Sequence, residues 1–135
     1  TADQEQTLGM ALCDLALSLE DSPYLKGGYT DAQQGFDSPG FVYFCLNKTG
    51  ETTPLLTPVG YANRTQWSRV DSLEAAQPGD LLFFITGQEM EIDCVSIYLG
   101  DGQMIYPSAS RKGVIVVSTQ TEYWKRHFQL GRRVF

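Results

Sequence analysis

Histidine is almost missing from this chain, with His127 the single example in 135 residues. Cysteine is scarce as well: Cys13, Cys45 and Cys94 occur, and no C-x-x-C pair. A zinc site of Cys and His ligands would need nearly all of these residues at once, so no metal is expected, and nothing else in the sequence asks for a cofactor. The odd cysteine count leaves at least one thiol unpaired within the chain. Positive charge is in deficit, with 10 Lys+Arg against 16 Asp+Glu and a net charge of −6. An acidic domain repels a phosphate backbone, which excludes nucleic acid as the natural partner. Apolar runs such as Leu81–Ile85 and Val114–Val117 fall far short of the roughly 20 residues that span a bilayer. Repeats and low-complexity tracts are also lacking. The chain starts Thr1-Ala2-Asp3 without an initiator Met, which resembles a processed terminus from which a signal segment has been removed.

What is present describes a folded unit. Hydrophobic residues make up 42% and aromatics 12%, enough to exclude disorder along the whole chain. The length suits one domain, expected to cover residues 1–135. Leu8, Ala11, Leu12, Leu15, Ala16 and Leu19 share one helical stripe, which Asp21-Ser22-Pro23 stops because proline cannot continue it. A second helix over Phe41–Leu46 follows Asp37-Ser38-Pro39-Gly40. Asp37 or Ser38 can cap it, and Pro39 suits its first position, where no N–H is needed. Residues 51–70, with Pro54 and Pro58, form a long irregular stretch of the kind that makes binding loops. The second half reads as strands: Leu81–Ile85, Cys94–Leu99, Gln103–Tyr106, Val114–Val117 and Arg132–Phe135, with Gly100-Asp101-Gly102 as a hairpin turn. Alternation places Val95, Ile97 and Leu99 on one face of their strand, and Cys94, Ser96 and Tyr98 on the other. Thr121 opens a short helix. Helices first and an antiparallel sheet of about five strands afterwards is an α+β pattern.

The ordered set Pro23-Tyr24, Gly27-Gly28, Gly35-Phe36-Asp37-Ser38-Pro39-Gly40-Phe41-Val42, Gln77-Pro78-Gly79-Asp80-Leu81-Leu82-Phe83-Phe84, Val95-Ser96-Ile97-Tyr98-Leu99-Gly100-Asp101-Gly102, Tyr123-Trp124 and Arg132-Arg133-Val134 resembles the NlpC/P60 family. The resemblance runs from about Leu8 to the last residue. It implies a papain-like α+β fold and export to the periplasm or cell surface. It also implies cysteine-peptidase chemistry on peptidoglycan stem peptides, typically between D-glutamate and a diamino acid. The family carries an Asp-Cys-Ser-Gly element, with the nucleophilic Cys at a helix start where the dipole favours a thiolate. A His opens the strand corresponding to Val95–Leu99, and a second polar residue on the next strand orients it.

This chain departs from that pattern at each of the three positions. Ser38 stands at the nucleophile, Cys94 at the base and Tyr106 at the orienting residue, and Pro39 replaces the serine that usually follows the nucleophile. A serine hydroxyl is a poor nucleophile without an adjacent base. A tyrosine with an ordinary pKa of about 10 is neutral at pH 7. Cys94 fills the space of an imidazole, and Tyr106 is bulky enough to plug a cleft. The expectation is therefore a catalytically inactive, pseudo-peptidase member of the family, not an enzyme. It would bind peptidoglycan fragments, or scaffold or regulate a cell-envelope protein. The alternative is an active hydrolase or transferase of non-standard chemistry, using Ser38 or Cys94 on peptidoglycan peptides.

The expected ligand residues are Tyr24, Asp37, Ser38, Ser96 and Tyr106. Asp37 corresponds to an acidic family residue that holds the amino end of the stem peptide, and it is equally a simple helix cap. Ser38 reads first as a cap of the same helix, and Tyr24 can be a packed aromatic. In Pro54-Leu55-Leu56-Thr57-Pro58 relatives often carry an arginine, absent here. With Val59, Tyr61 and Trp67 nearby, the stretch reads as a protein-contact loop or as ordinary packing. His127 reads as a surface or packed residue, and Arg126, Arg132 and Arg133 as a solvated basic face. Cys13 and Cys45 lie on two helices expected to pack together, either as thiols or as a disulfide. The oligomeric state is not encoded in any of these features.

Overall fold

The computed structural model describes residues 2–135. Thr1, on which the reading of a processed start rests, lies outside the described residues. Helix α1 (Ala2–Ser18) is followed by α2 (Ser38–Thr49), the short α3 (Pro58–Ala62) and strand β1 (Ser68–Val70). Then come β2 (Leu81–Phe84), β3 (Cys94–Gly100), β4 (Gln103–Ser108), β5 (Gly113–Ser118), α4 (Glu122–His127) and β6 (Phe128–Arg133). The strands form one antiparallel sheet in the order β1-β6-β2-β3-β4-β5. The sheet thus has six strands among the described residues, where about five were expected. The addition is β1, only three residues long, paired through Val70 opposite Gly131. The last strand also begins at Phe128, earlier than Arg132, because α4 runs directly into it.

The alternation of β3 decides what lies on each face. Val95 and Ile97 join Leu12, Ala16, Phe36, Phe41, Val42, Cys45 and Leu46 in a core between the sheet and helices α1 and α2. Cys94 and Tyr98 face the other side, with Leu82, Phe84, Met104 and Trp124 under α4. Burying each large apolar side chain is worth about 1.5–3 kcal/mol, and this double-faced burial fixes the register that delivers the first residue of β3 to the edge of a cleft.

The segment between α1 and α2 is tied to the sheet by a single bridge, Pro23 with Gly113 of β5, and closed on itself by another, Tyr24 with Phe36. Its glycines let backbones approach closely. A Cβ on Gly40 would drive into the carbonyl of Gly28, so the Gly27-Gly28 turn lies directly on the first turn of α2. Two expectations fail near the far edge of the sheet. Arg132 is 8% exposed, donating to the carbonyls of Ala62 at 2.8 Å and Trp67 at 3.1 Å. Arg133 pairs with Asp80 at 2.8 Å. Neither belongs to a solvated basic face, because the carbonyls at the end of α3 and the buried Asp80 carboxylate draw the guanidinium groups inward.

Candidate active site

Asp37 caps α2. Its Oδ1 accepts the Gly40 N–H at 2.8 Å, and its Oδ2 accepts the Gly27 N–H at 2.9 Å. Both carboxylate oxygens are therefore engaged by backbone, one at the helix and one at the glycine turn. Ser38 is the first residue of the helix and does not cap it, contrary to the expectation. Its hydroxyl turns to β3 instead, accepting the Val95 N–H at 2.7 Å and donating to the Val95 carbonyl at 3.1 Å. That pair of bonds couples the head of α2 to the start of β3.

Cys94 opens β3, beside Ser38. Burial pushes its thiol up to about 12, the nearby Asp93 adds to the rise, and a hydrogen bond from Ser38 works against it. The thiol is protonated at neutral pH. Tyr106 on β4 is half-buried, its ring edge-on to Trp124 at a centroid distance of 5.4 Å. Burial raises its phenol, opposed by a hydrogen bond with Ser108. Tyr24 is raised by burial and then by the Asp37 charge.

These groups share an open cleft of about 680 Å³. Tyr24, Lys26, Asp37, Ser38, Cys94 and Tyr106 line it, with Leu55, Leu56, Thr57 and Pro58 along the loop wall and Thr86 and Asp93 at one end. Tyr106 forms a wall and does not plug the space. Ser96 does not belong to the cleft, a correction to the expected ligand set. It is fully buried, and its hydroxyl donates to Met104 Sδ at 3.1 Å. Cys94 shares its face of the strand but sits at the strand end, against the cleft; two residues further on, Met104 of β4 closes over the Ser96 hydroxyl. Lys26, Thr86 and Asp93 were not foreseen as lining residues, although Lys26 lies inside the Tyr24–Gly28 motif and Asp93 adjoins Cys94.

Other expected residues fall elsewhere. His127 sits on α4, its Nδ1 2.6 Å from the Tyr123 carbonyl and its ring stacked on Tyr123 at 4.3 Å. It does not line the cleft. Tyr61 and Trp67 are buried and stacked at 6.1 Å, with the Tyr61 hydroxyl donating to Pro54 O at 2.8 Å. The aromatic part of the 51–70 stretch is thus packing, while Leu55 is 44% exposed toward the cleft. The three cysteines are free and buried.

The sequence profile of the NlpC/P60 family matches residues 21–133, and the chain belongs to that family. The chain is 33% identical over 120 residues to the probable peptidoglycan endopeptidase LytE of Bacillus subtilis, covering 89% of this chain and 32% of that protein. Over 129 residues it is 33% identical to the probable endopeptidase NlpC of Escherichia coli, covering 95% of this chain and 79% of that protein. The solved NlpC/p60 domain of the peptidoglycan hydrolase SagA superposes with a TM-score of 0.73 at 30% identity, covering 92% of this chain and 97% of that domain. The chain spans 27–44% of the length of several curated relatives it matches.

These names overturn the expectation of a non-enzyme. Relatives about one third identical over most of the chain are endopeptidases and hydrolases by name. The substitutions at positions 38, 94 and 106 bear on which group reacts, and the inference from them to an inactive protein does not stand.

Proposed function

We infer that this chain is an exported, cell-envelope amide hydrolase or acyl transferase of the NlpC/P60 family. It acts on peptides of peptidoglycan, with residues 1–135 as one domain and the Ser38–Cys94 pair as the reacting centre. The observation that carries this reading is the meeting of a thiol and a hydroxyl at the head of α2 in an open cleft. Of the two, the sulfur is the stronger nucleophile once ionised. In this reading hydroxide takes the Cys94 proton, the thiolate attacks the scissile carbonyl carbon, and the amine leaves with a proton from water. Water then cleaves the thioester and restores the thiol; another amine in its place gives transfer. Ser38 turns its one hydroxyl hydrogen from the Val95 carbonyl to the thiolate, and the positive end of α2 favours negative charge there. Tyr24 and Tyr106 supply the aromatic walls, and Asp37 holds the glycine turn against the helix.

No imidazole lines the cleft, so the reacting ion is scarce at neutral pH. Purified muropeptides incubated with the chain between pH 7 and 10 should be cleaved slowly at first. The rate should rise about tenfold per pH unit, following the thiolate fraction. Mass spectrometry should show the products lost in Cys94→Ala and reduced in Ser38→Ala. Intact muropeptides across the whole range with the unaltered chain refute the reading.

A further inference from the structure

Three charged residues line the cleft: Lys26, Asp37 and Asp93. Two are already engaged. Asp37 is bound by the Gly27 and Gly40 N–H groups. Asp93 accepts from the Thr86 N–H at 2.8 Å, the Thr86 hydroxyl at 2.9 Å and the Gly87 N–H at 2.8 Å. Lys26 is exposed, and no salt bridge to it forms among the described residues. It sits on the cleft wall beside Tyr24, on the turn that packs against the first turn of α2, whose partial positive charge adds to its own. The opposite end of the cleft has the reverse field. There Thr57, Pro58 and Asp93 are shared with an adjoining cavity of about 660 Å³ that carries Glu89 and Glu91. Asp37 adds a negative charge near Lys26, but both its oxygens are held by backbone N–H groups. Lys26 is thus the one cation among the residues lining the cleft that can meet a negative group, while the loop end repels it.

We propose that Lys26 is the specificity-determining residue of the cleft, selecting peptides that present a free carboxylate over the same peptides with that carboxylate amidated. The proposal rests on the reading of this cleft as a peptide site. Lys26 holds the carboxylate as a flexible point charge, in contrast to the rigid fork of an arginine. It acts on binding and takes no part in the reaction.

The test is calorimetric binding of two synthetic stem peptides, identical except that one side carboxylate is free in the first and amidated in the second. They are titrated at pH 7, where turnover is slow. The free-carboxylate peptide should bind the unaltered chain about fivefold more tightly, the scale of one exposed ion pair. Lys26→Met should abolish that preference, Lys26→Glu should invert it, and Lys26→Arg should keep it. The amidated peptide should bind the unaltered chain and Lys26→Met alike. Because Lys26 is exposed and unpaired, these variants keep the fold. Equal weakening of both peptides by Lys26→Met, or no effect on either, overturns the role of Lys26 and leaves the hydrolase reading standing. Carboxylate-selective binding without any cleavage at pH 7–10 supports Lys26 and sinks the hydrolase. Failure of the unaltered chain to bind either peptide overturns both.

Discussion

At position 40 the side chain is a hydrogen atom for a steric reason. A Cβ there meets the Gly28 carbonyl and lies 2.9 Å from Asp37 Oδ1. Gly40→Ala should therefore push the glycine turn off α2, at a cost of about 1–3 kcal/mol by analogy with overpacked sites, read as a lower midpoint in urea unfolding. Asp37→Ala acts at the same junction through lost hydrogen bonds. It removes the cap and releases Gly27, and should cost about 0.5–2 kcal/mol. At this scale the sequence was partly legible. Asp37 and Pro39 announced the helix start through their types. The sequence could not reveal that Ser38 turns to Val95, because that partner is 57 residues away and depends on the register of β3.

Among the elements, the junction of β6 with the turn before β2 carries the largest electrostatic stake. Asp80 has a side chain only 2% exposed, and Arg133 grips both its oxygens, at 2.9 and 2.8 Å. Removing one partner of a buried pair costs about 3–5 kcal/mol; the Arg133 side chain is 32% exposed, which places Arg133→Ala at about 2–3 kcal/mol in denaturant titration. Arg133→Lys should recover only part, since a single ammonium cannot reproduce the fork. The strands β2 and β5 were readable as short apolar runs, β3 from its alternation, and β4 from the Gly100-Asp101-Gly102 turn before it. β1 was not, because three residues carry no period, and its existence depends on β6 offering an edge. Ser96 shows the limit of the same signal. Period two gives a side chain its face, whereas the cover over that face comes from a neighbouring strand, here Met104 of β4.

For the molecule as a whole, three buried thiols contribute to the alkaline limit of stability. Burial raises Cys13 to about 11 and Cys94 to about 12 from an ordinary 9.0, and raises Cys45 as well. Below pH 9 these thiols are protonated in both the folded and the unfolded chain and contribute no slope. Above it the unfolded chain loses protons that the folded chain retains, so stability falls as pH rises through the window from 9 to about 12. Thermal unfolding should show a midpoint that declines beyond pH 9, and Cys13→Ala should make the decline shallower. A flat profile up to pH 11 contradicts this. The same window is where cleavage should accelerate, so the fastest turnover and the weakest fold are expected to approach one another.

Burial that keeps the native thiols protonated at neutral pH also makes the surface a clean site for chemical labelling. Met90 is 80% exposed at the tip of the loop between β2 and β3, and Cys13, Cys45 and Cys94 are all buried. A maleimide dye added at neutral pH to the Met90→Cys variant should attach once per molecule, on the loop whose ends, Thr86 and Asp93, line the groove. Its emission would then report arrival of a peptide directly, without waiting for a bond to break.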